Sequence, residues 1–222
     1  MRGSLDRFEG CIAGARFRSG DQVVVGLWRR SPLGGFADVM WLTPGGERVL
    51  LAPGGDIADY VSDLYSFDDV RVAEVRSAWD GTMLEVRADP LGLQLEIGEP
   101  SWRSRVFELR PRWLRRQRWW IELENRLVGP LGELLLEGAD GVRLAGTTRS
   151  GRREWYSVDG HRPVVAGKLS VHGRDAGALE AMQPGLGVGI SDFPTEPAVV
   201  EVVTFIEPGQ RPVSRAAAGP GT

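Results

Sequence analysis

The sequence has little of what metal-binding and catalytic machinery is usually built from. Cys11 is the only cysteine in 222 residues, so no internal disulfide and no cysteine-based zinc site can form, and the thiol is expected to act as a small buried hydrophobe. His161 and His172 are the only histidines, and their spacing makes no metal signature. No metal and no cofactor are called for. Lys168 is the only lysine, against 26 arginines; it would be a Schiff-base candidate only if its strand turned it toward a pocket. There is no Gly-x-Ser-x-Gly elbow, no Walker loop and no His-Glu-x-x-His. Gly185, Gly187 and Gly189 alternate as in a bulged strand rather than a dinucleotide loop. The longest apolar stretch, near Val23 to Trp28, is far too short to span a membrane, and the stretch from Met1 to Asp6 has no apolar leader core. A soluble, cytoplasmic protein is expected.

What the sequence has in quantity is short β-type runs separated by turn residues. Cys11 to Arg18, Val23 to Arg29, Phe36 to Leu42 and Arg48 to Leu51 are broken by Gly20-Asp21, Pro32-Leu33-Gly34-Gly35 and Pro44-Gly45-Gly46, a hairpin meander. Asp56 to Leu64 reads as a short helix, with Asp56 as N-cap and Ile57, Tyr60, Val61 and Leu64 on one face. Strands resume at Val70 to Trp79, turn at Asp80-Gly81 into Met83 to Ala88, and continue through Leu93 to Ile97, Val142 to Thr148, Arg153 to Val158, Val164 to Val171 and Ala198 to Phe205, with further turns at Ser150-Gly151 and Asp159-Gly160. Eleven or twelve short strands at this spacing predict a mainly β protein, an antiparallel lipocalin-like barrel or sandwich with one short helix and one amphipathic helix. Residues 1–206 read as a single β-rich domain. Residues 207–222, rich in Pro, Gly, Ala, Ser and Arg, read as a disordered tail.

The amphipathic helix is expected at about 111–128, between Pro111 and Gly129-Pro130. Residues 101–128 hold Trp102, Trp113, Trp119 and Trp120, with eight arginines against three glutamates, so this block is +5 in a chain of net charge -3. Such asymmetry orients an anionic partner toward one face. At 100° per residue, Trp113, Leu114, Trp120, Ile121, Leu123, Leu127 and Val128 share one half of the cylinder. Gln117 and Glu124 project from the middle of that apolar half, where a carboxylate must be paired, protonated or hydrated. Trp113, Gln117, Trp120 and Glu124 are therefore candidate ligand-binding residues for a barrel cavity. On the wet side, Arg112, Arg115, Arg118 and Arg126, with Trp119 among them, form a candidate contact for an anionic surface. Glu124 could equally be ion-paired, and Trp119 covered by a loop of its own chain.

Glu154, Trp155 and Tyr156 lie between two turns, with His161 just beyond and expected to be exposed. A tyrosine with a carboxylate can polarise a carbonyl or protonate an alkene, although a cross-strand aromatic pairing explains the same residues. Four stretches, Ser31 to Met40, Arg48 to Pro53, Tyr65 to Val70 and Gly151 to Tyr156, resemble an uncharacterised family of small actinobacterial all-β proteins, over most of residues 10–206. The succession of short strands and tryptophans more remotely resembles lipocalin-like domains, which implies a barrel with a ligand cavity. Three functions follow. The first is binding of an apolar or amphipathic small molecule, with an anionic one included, in a β-barrel cavity. The second is a cofactor-independent hydratase, cyclase or isomerase using Glu124, Glu154 and Tyr156. The third is a docking module whose basic helix meets an anionic membrane surface or a protein partner. An inward Glu124 beside an open cavity favours the first two, and a filled barrel with an exposed Trp119 favours the third. Nucleic acid ranks last, because the rest of the chain is acidic.

Overall fold

Most of the expected runs become strands in the computed structural model, which describes residues 5–102, 104, 117, 119–120, 145–183, 193 and 195–208. The meander is β1 (Asp6–Phe17), β2 (Gln22–Arg30), β3 (Phe36–Leu42) and β4 (Arg48–Ala52), followed by the helix α1 (Gly55–Leu64). Asp56 is not the N-cap of α1. That position is Gly54, which offers no side chain, and Asp56 sits in the first turn, where its charge suits the helix dipole. Ile57, Ala58, Val61 and Leu64 are the buried stripe of α1. The run from Val70 to Trp79 is two strands, β5 (Asp69–Val72) and β6 (Val75–Trp79). Next come β7 (Met83–Ala88) and β8 (Leu91–Ile97), then β9 (Ala145–Thr147), β10 (Arg153–Val171), β11 (Arg174–Asp175), β12 (Leu179–Glu180) and β13 (Ala198–Ile206).

Asp159-Gly160 corrects the expectation of a turn. The chain does not reverse there: β10 runs 19 residues without a break, and its register slips between Val158 and Gly160 and again between Val164 and Ala166. Bulges absorb an extra residue and bend a strand without ending it. Because the strand continues, His161 is buried rather than exposed. The Ser101 hydroxyl lies 3.0 Å from its Nδ1, and its backbone N–H donates to Ser104 Oγ at 2.9 Å. The tight reversal comes instead at His172-Gly173, both at positive φ, as a two-residue hairpin requires.

The strands are ordered β5-β4-β3-β2-β1-β13-β10-β8-β7-β6. Leaving aside the short β9, β11 and β12, neighbours in this order follow one another along the chain, and the last strand, β13, closes on the first, β1, as the strands of an up-and-down barrel do. The expected barrel-like β architecture stands. The pairing is antiparallel except between β4 and β5, which run parallel with α1 supplying the crossover. The long strand β10 gives its first half to β13 and its second half to β8, so the bulged strand carries the sheet around a corner. The sheet curls until β6 lies against β3.

Curling creates two unlike layers. The concave side is packed with apolar, mostly aliphatic side chains from both halves, among them Ala13, Phe17, Val25, Val39, Leu84, Leu93, Leu95 and Leu169. The outer face of β1 to β4 and β13 is covered by α1 and the segment after it, where Phe8, Leu64 and Ile206 gather Trp28, Phe36, Tyr60 and Tyr65. The described residues contain no helix long and apolar enough to cross a membrane. The expected helix at 111–128 lies outside the described residues except at Gln117, Trp119 and Trp120, as do the glycines at 185, 187 and 189. The tail from residue 209 lies outside them too. Glu207, placed in the tail by composition, is held: its N–H donates to the Arg153 carbonyl at 2.8 Å, and its own carbonyl accepts from Arg152 Nε at 2.6 Å.

Candidate functional site

Alternation along β10 and the residue just before it sends Arg152, Glu154 and Tyr156 to the face covered by α1, and Trp155 and Ser157 to the other. Trp155 makes the cross-strand aromatic pair anticipated for it, stacked on Phe205 with ring centroids 5.7 Å apart. Glu154 and Tyr156 meet a third residue that no sequence pattern had singled out for chemistry. Tyr65 follows the last turn of α1 and reaches across the layer, where its hydroxyl donates to Glu154 Oε1 at 2.6 Å and lies 3.5 Å from the Tyr156 hydroxyl. The helix end that aims Tyr65 is fixed by two backbone bonds, Tyr65 N–H to the Val61 carbonyl and Arg149 N–H to the Leu64 carbonyl.

Glu154 is 1% exposed. Burial pushes its carboxyl above the usual range, opposed by the two tyrosine hydroxyls and by the Arg152 guanidinium. Both phenols are driven well above their ordinary values, first by burial and then by the neighbouring carboxylate, so they stay protonated. Glu154 Oε2 has no hydrogen-bond partner among the described residues, and neither does Thr204 Oγ1. Thr204 is buried directly across from Tyr156 in the β10–β13 register. Two hydrogen-bonding oxygens beside two phenols, in a layer of aromatic and aliphatic side chains, form a polar spot without its full complement of partners.

A second buried carboxyl lies on the same face. Asp38, 1% exposed, stands in the middle of β3 and accepts from Trp28 Nε1 at 3.2 Å through Oδ1, while Oδ2 has no partner among the described residues. Burial raises its pKa to about 7, with the Trp28 bond opposing the shift. Gly26 is directly opposite in β2, and a Cβ there would lie 2.4 Å from Asp38 Oδ1 and 2.6 Å from Trp28 Nε1. The missing side chain is what lets this pair form. Between the two carboxyls the rings of Trp28, Phe36 and Tyr60 surround Phe8, with centroids 5.4 to 6.4 Å away.

Arg152 ties the edge of the site together. Its Nη2 lies 2.6 Å from Asp6 Oδ2 and 3.1 Å from the Tyr60 hydroxyl, which itself donates to Asp6 Oδ2 at 2.8 Å, and its guanidinium lies over the Tyr60 ring. Asp6, Tyr60 and Arg152 thus join the start of β1, α1 and the start of β10.

Of the other sequence candidates, Trp113, Glu124, Arg112, Arg115, Arg118 and Arg126 lie outside the described residues. Gln117, expected to point into the apolar interior, is exposed and outside a helix; its carbonyl accepts from the Trp120 N–H at 3.0 Å. Trp120 is half-buried, and Trp119 is 57% exposed and meets it edge to face at 5.7 Å. Lys168 is exposed, so the only lysine does not face the interior. No group of three or more metal-ligating side chains occurs among the described residues.

No family model matches the chain, and no curated protein does. Among solved structures, the chain is similar to a crystal structure of acetoacetate decarboxylase from Legionella pneumophila subsp. pneumophila strain Philadelphia 1. The identity is 8%, the TM-score 0.44, and the likeness covers 93% of this chain and 86% of that one. The motifs at 31–40, 48–53, 65–70 and 151–156 therefore stand with no family attached to them, and the function is to be read from the site's own residues.

Proposed function

We propose that the protein binds an apolar or amphipathic small molecule, with Glu154, Tyr65, Tyr156 and Thr204 receiving its polar group. The observation that carries this reading is the buried Glu154 carboxyl, which has one oxygen engaged by Tyr65 and the other without a partner among the described residues. Buried polar groups are nearly always satisfied, and leaving one unmade costs about 1 to 3 kcal/mol. A protonated Glu154 donates one hydrogen bond from Oε2, which suits a carbonyl or alcohol oxygen. The surrounding aromatic and aliphatic side chains suit an apolar body.

Native mass spectrometry of the purified protein, with organic extraction and identification of what is released, tests it. A stoichiometric organic molecule in the wild type, lost or weakened in Glu154→Gln and Tyr65→Phe, is the expected result. A clean protein mass that persists after incubation with lipid and isoprenoid extracts would sink the reading. The same carboxyl, held toward its protonated form beside two phenols, also supports a cofactor-independent hydratase, cyclase or isomerase, with Glu154 as proton donor. In that case, product would accumulate with wild type and not with Glu154→Gln.

A docking role has its own support in Trp102 and Trp119, which are 55% and 57% exposed. Trp119→Ala with Trp102→Ala should then abolish sedimentation with anionic vesicles. Unchanged sedimentation, or none by the wild type, removes the membrane form of this reading.

A further inference from the structure

One end of the concave side of the sheet carries a different chemistry from its aliphatic core. β1 and β2 pair in regular register from Arg16 and Gln22 to Gly10 and Trp28, and then Glu9 pairs with Arg30. Arg29 is left as an extra residue. A bulge of this kind turns two consecutive side chains of the longer strand toward one side, opposite a single residue of its partner. Arg29, Arg30 and Glu9 accordingly border one open, polar surface cavity of about 360 Å³. Gly10 permits the bulge, since a Cβ there would sit 1.9 Å from the Leu27 carbonyl oxygen.

The charges around this cavity do not cancel. Glu9 is paired with Arg7 at 2.8 Å, and the Arg7 guanidinium lies over the Phe205 ring. Glu201 and Arg29 both act on the buried Cys11 beneath, with opposite signs. Arg29 and Arg30 are exposed and have no ion-pair partner among the described residues. Arg7, Arg29 and Arg30 therefore outnumber Glu9 and Glu201, in a chain whose net charge is -3. Guanidinium forks match the paired oxygens of a carboxylate or phosphate, and a backbone irregularity that brings two of them together prepays part of the ordering cost.

We infer that this cavity binds the carboxylate or phosphate group of a small anionic molecule, with Arg29 and Arg30 as its ligands and Arg7 neutralising Glu9. The site lies on the face of the sheet opposite Glu154, so its failure and that of the Glu154 reading are separate.

Calorimetric titration of the full chain at low salt, with inorganic phosphate and with octanoate as probes, tests the inference. The wild type should bind at least one of them saturably, and added salt should weaken that binding. Arg29→Gln with Arg30→Gln, both at exposed positions, should keep the melting temperature and weaken binding by about tenfold or more. Glu9→Gln should tighten it. Phosphate binding without octanoate binding assigns a phosphate ligand, and the reverse assigns a carboxylate with an apolar tail. No saturable binding of either probe by the wild type, or equal binding by the double variant, overturns the inference.

Discussion

Replacing Asp38 with asparagine should make the protein more stable at neutral and mildly alkaline pH and change little at pH 4. Asp38 is raised from 3.8 to about 7 by burial in the folded protein. Below pH 4 it is protonated in both folded and unfolded chains and gives no pH dependence. Between about pH 4 and 7 the unfolded chain releases this proton and the folded one retains it, so stability falls as pH rises, by up to about 1.4 kcal/mol per unit. Above pH 7 the loss levels off. Three units of difference amount to about 4 kcal/mol, a large share of the stability of a domain this size. Asparagine keeps the acceptor for Trp28 Nε1 and places an uncharged amide where Oδ2 has no partner, much as the protonated acid does. Urea unfolding of wild type and Asp38→Asn from pH 4 to 9 measures the difference directly. Other groups, Glu154 among them, contribute equally to both proteins and cancel. Parallel curves, or an Asp38→Asn variant that is the less stable of the two at pH 8, would refute the reasoning.

Gly26→Ala should destabilise by about 2 kcal/mol or more, because its Cβ would stand 2.4 Å from Asp38 Oδ1 and force the Asp38–Trp28 pair apart; thermal melting checks it, and an unchanged Tm would mean that the strand yields freely. Arg152→Met should cost about 2 to 4 kcal/mol, since Asp6 would lose its guanidinium and the Glu207 carbonyl its donor. Hydrogen exchange should then quicken at Phe8, in α1 and at Glu207, and unchanged protection at all three would contradict the tie described for Arg152.

Local signals located the elements whose boundaries are local. β3 begins and ends at the residues read from the sequence because glycine and proline turns flank it on both sides, and Asp80-Gly81 closes β6 onto β7 as its turn chemistry demands. Asp159-Gly160 carries the same dipeptide signal and yields a bulge. Its neighbours pair with β13 some forty residues later, and that long-range pairing overrides the local preference. The candidate site divides in the same way. Glu154 and Tyr156 were visible as a carboxylate and phenol two apart on one strand, but Tyr65 is 89 residues from Glu154 in sequence, and no periodicity links them. Asp38 could have been noticed as a lone carboxylate between Ala37 and Val39. Its burial, however, depends on the empty position at Gly26 in the next strand, which only the register reveals.

The closure of the last strand, β13, on the first bears on how the molecule is made. Residues 198–206 pair along nine positions with β1 on one side and nine with β10 on the other. Until they emerge during synthesis, the meander of β1 to β5 and the half built on β8 and β10 each present a bare edge, the template on which strands of separate chains join. Because these partners are far apart along the chain, joining the halves is a slow, late event. A chain broken off before Ala198 would therefore pair with its copies across that gap, and the last strand acts as the built-in guard against aggregation of everything made before it.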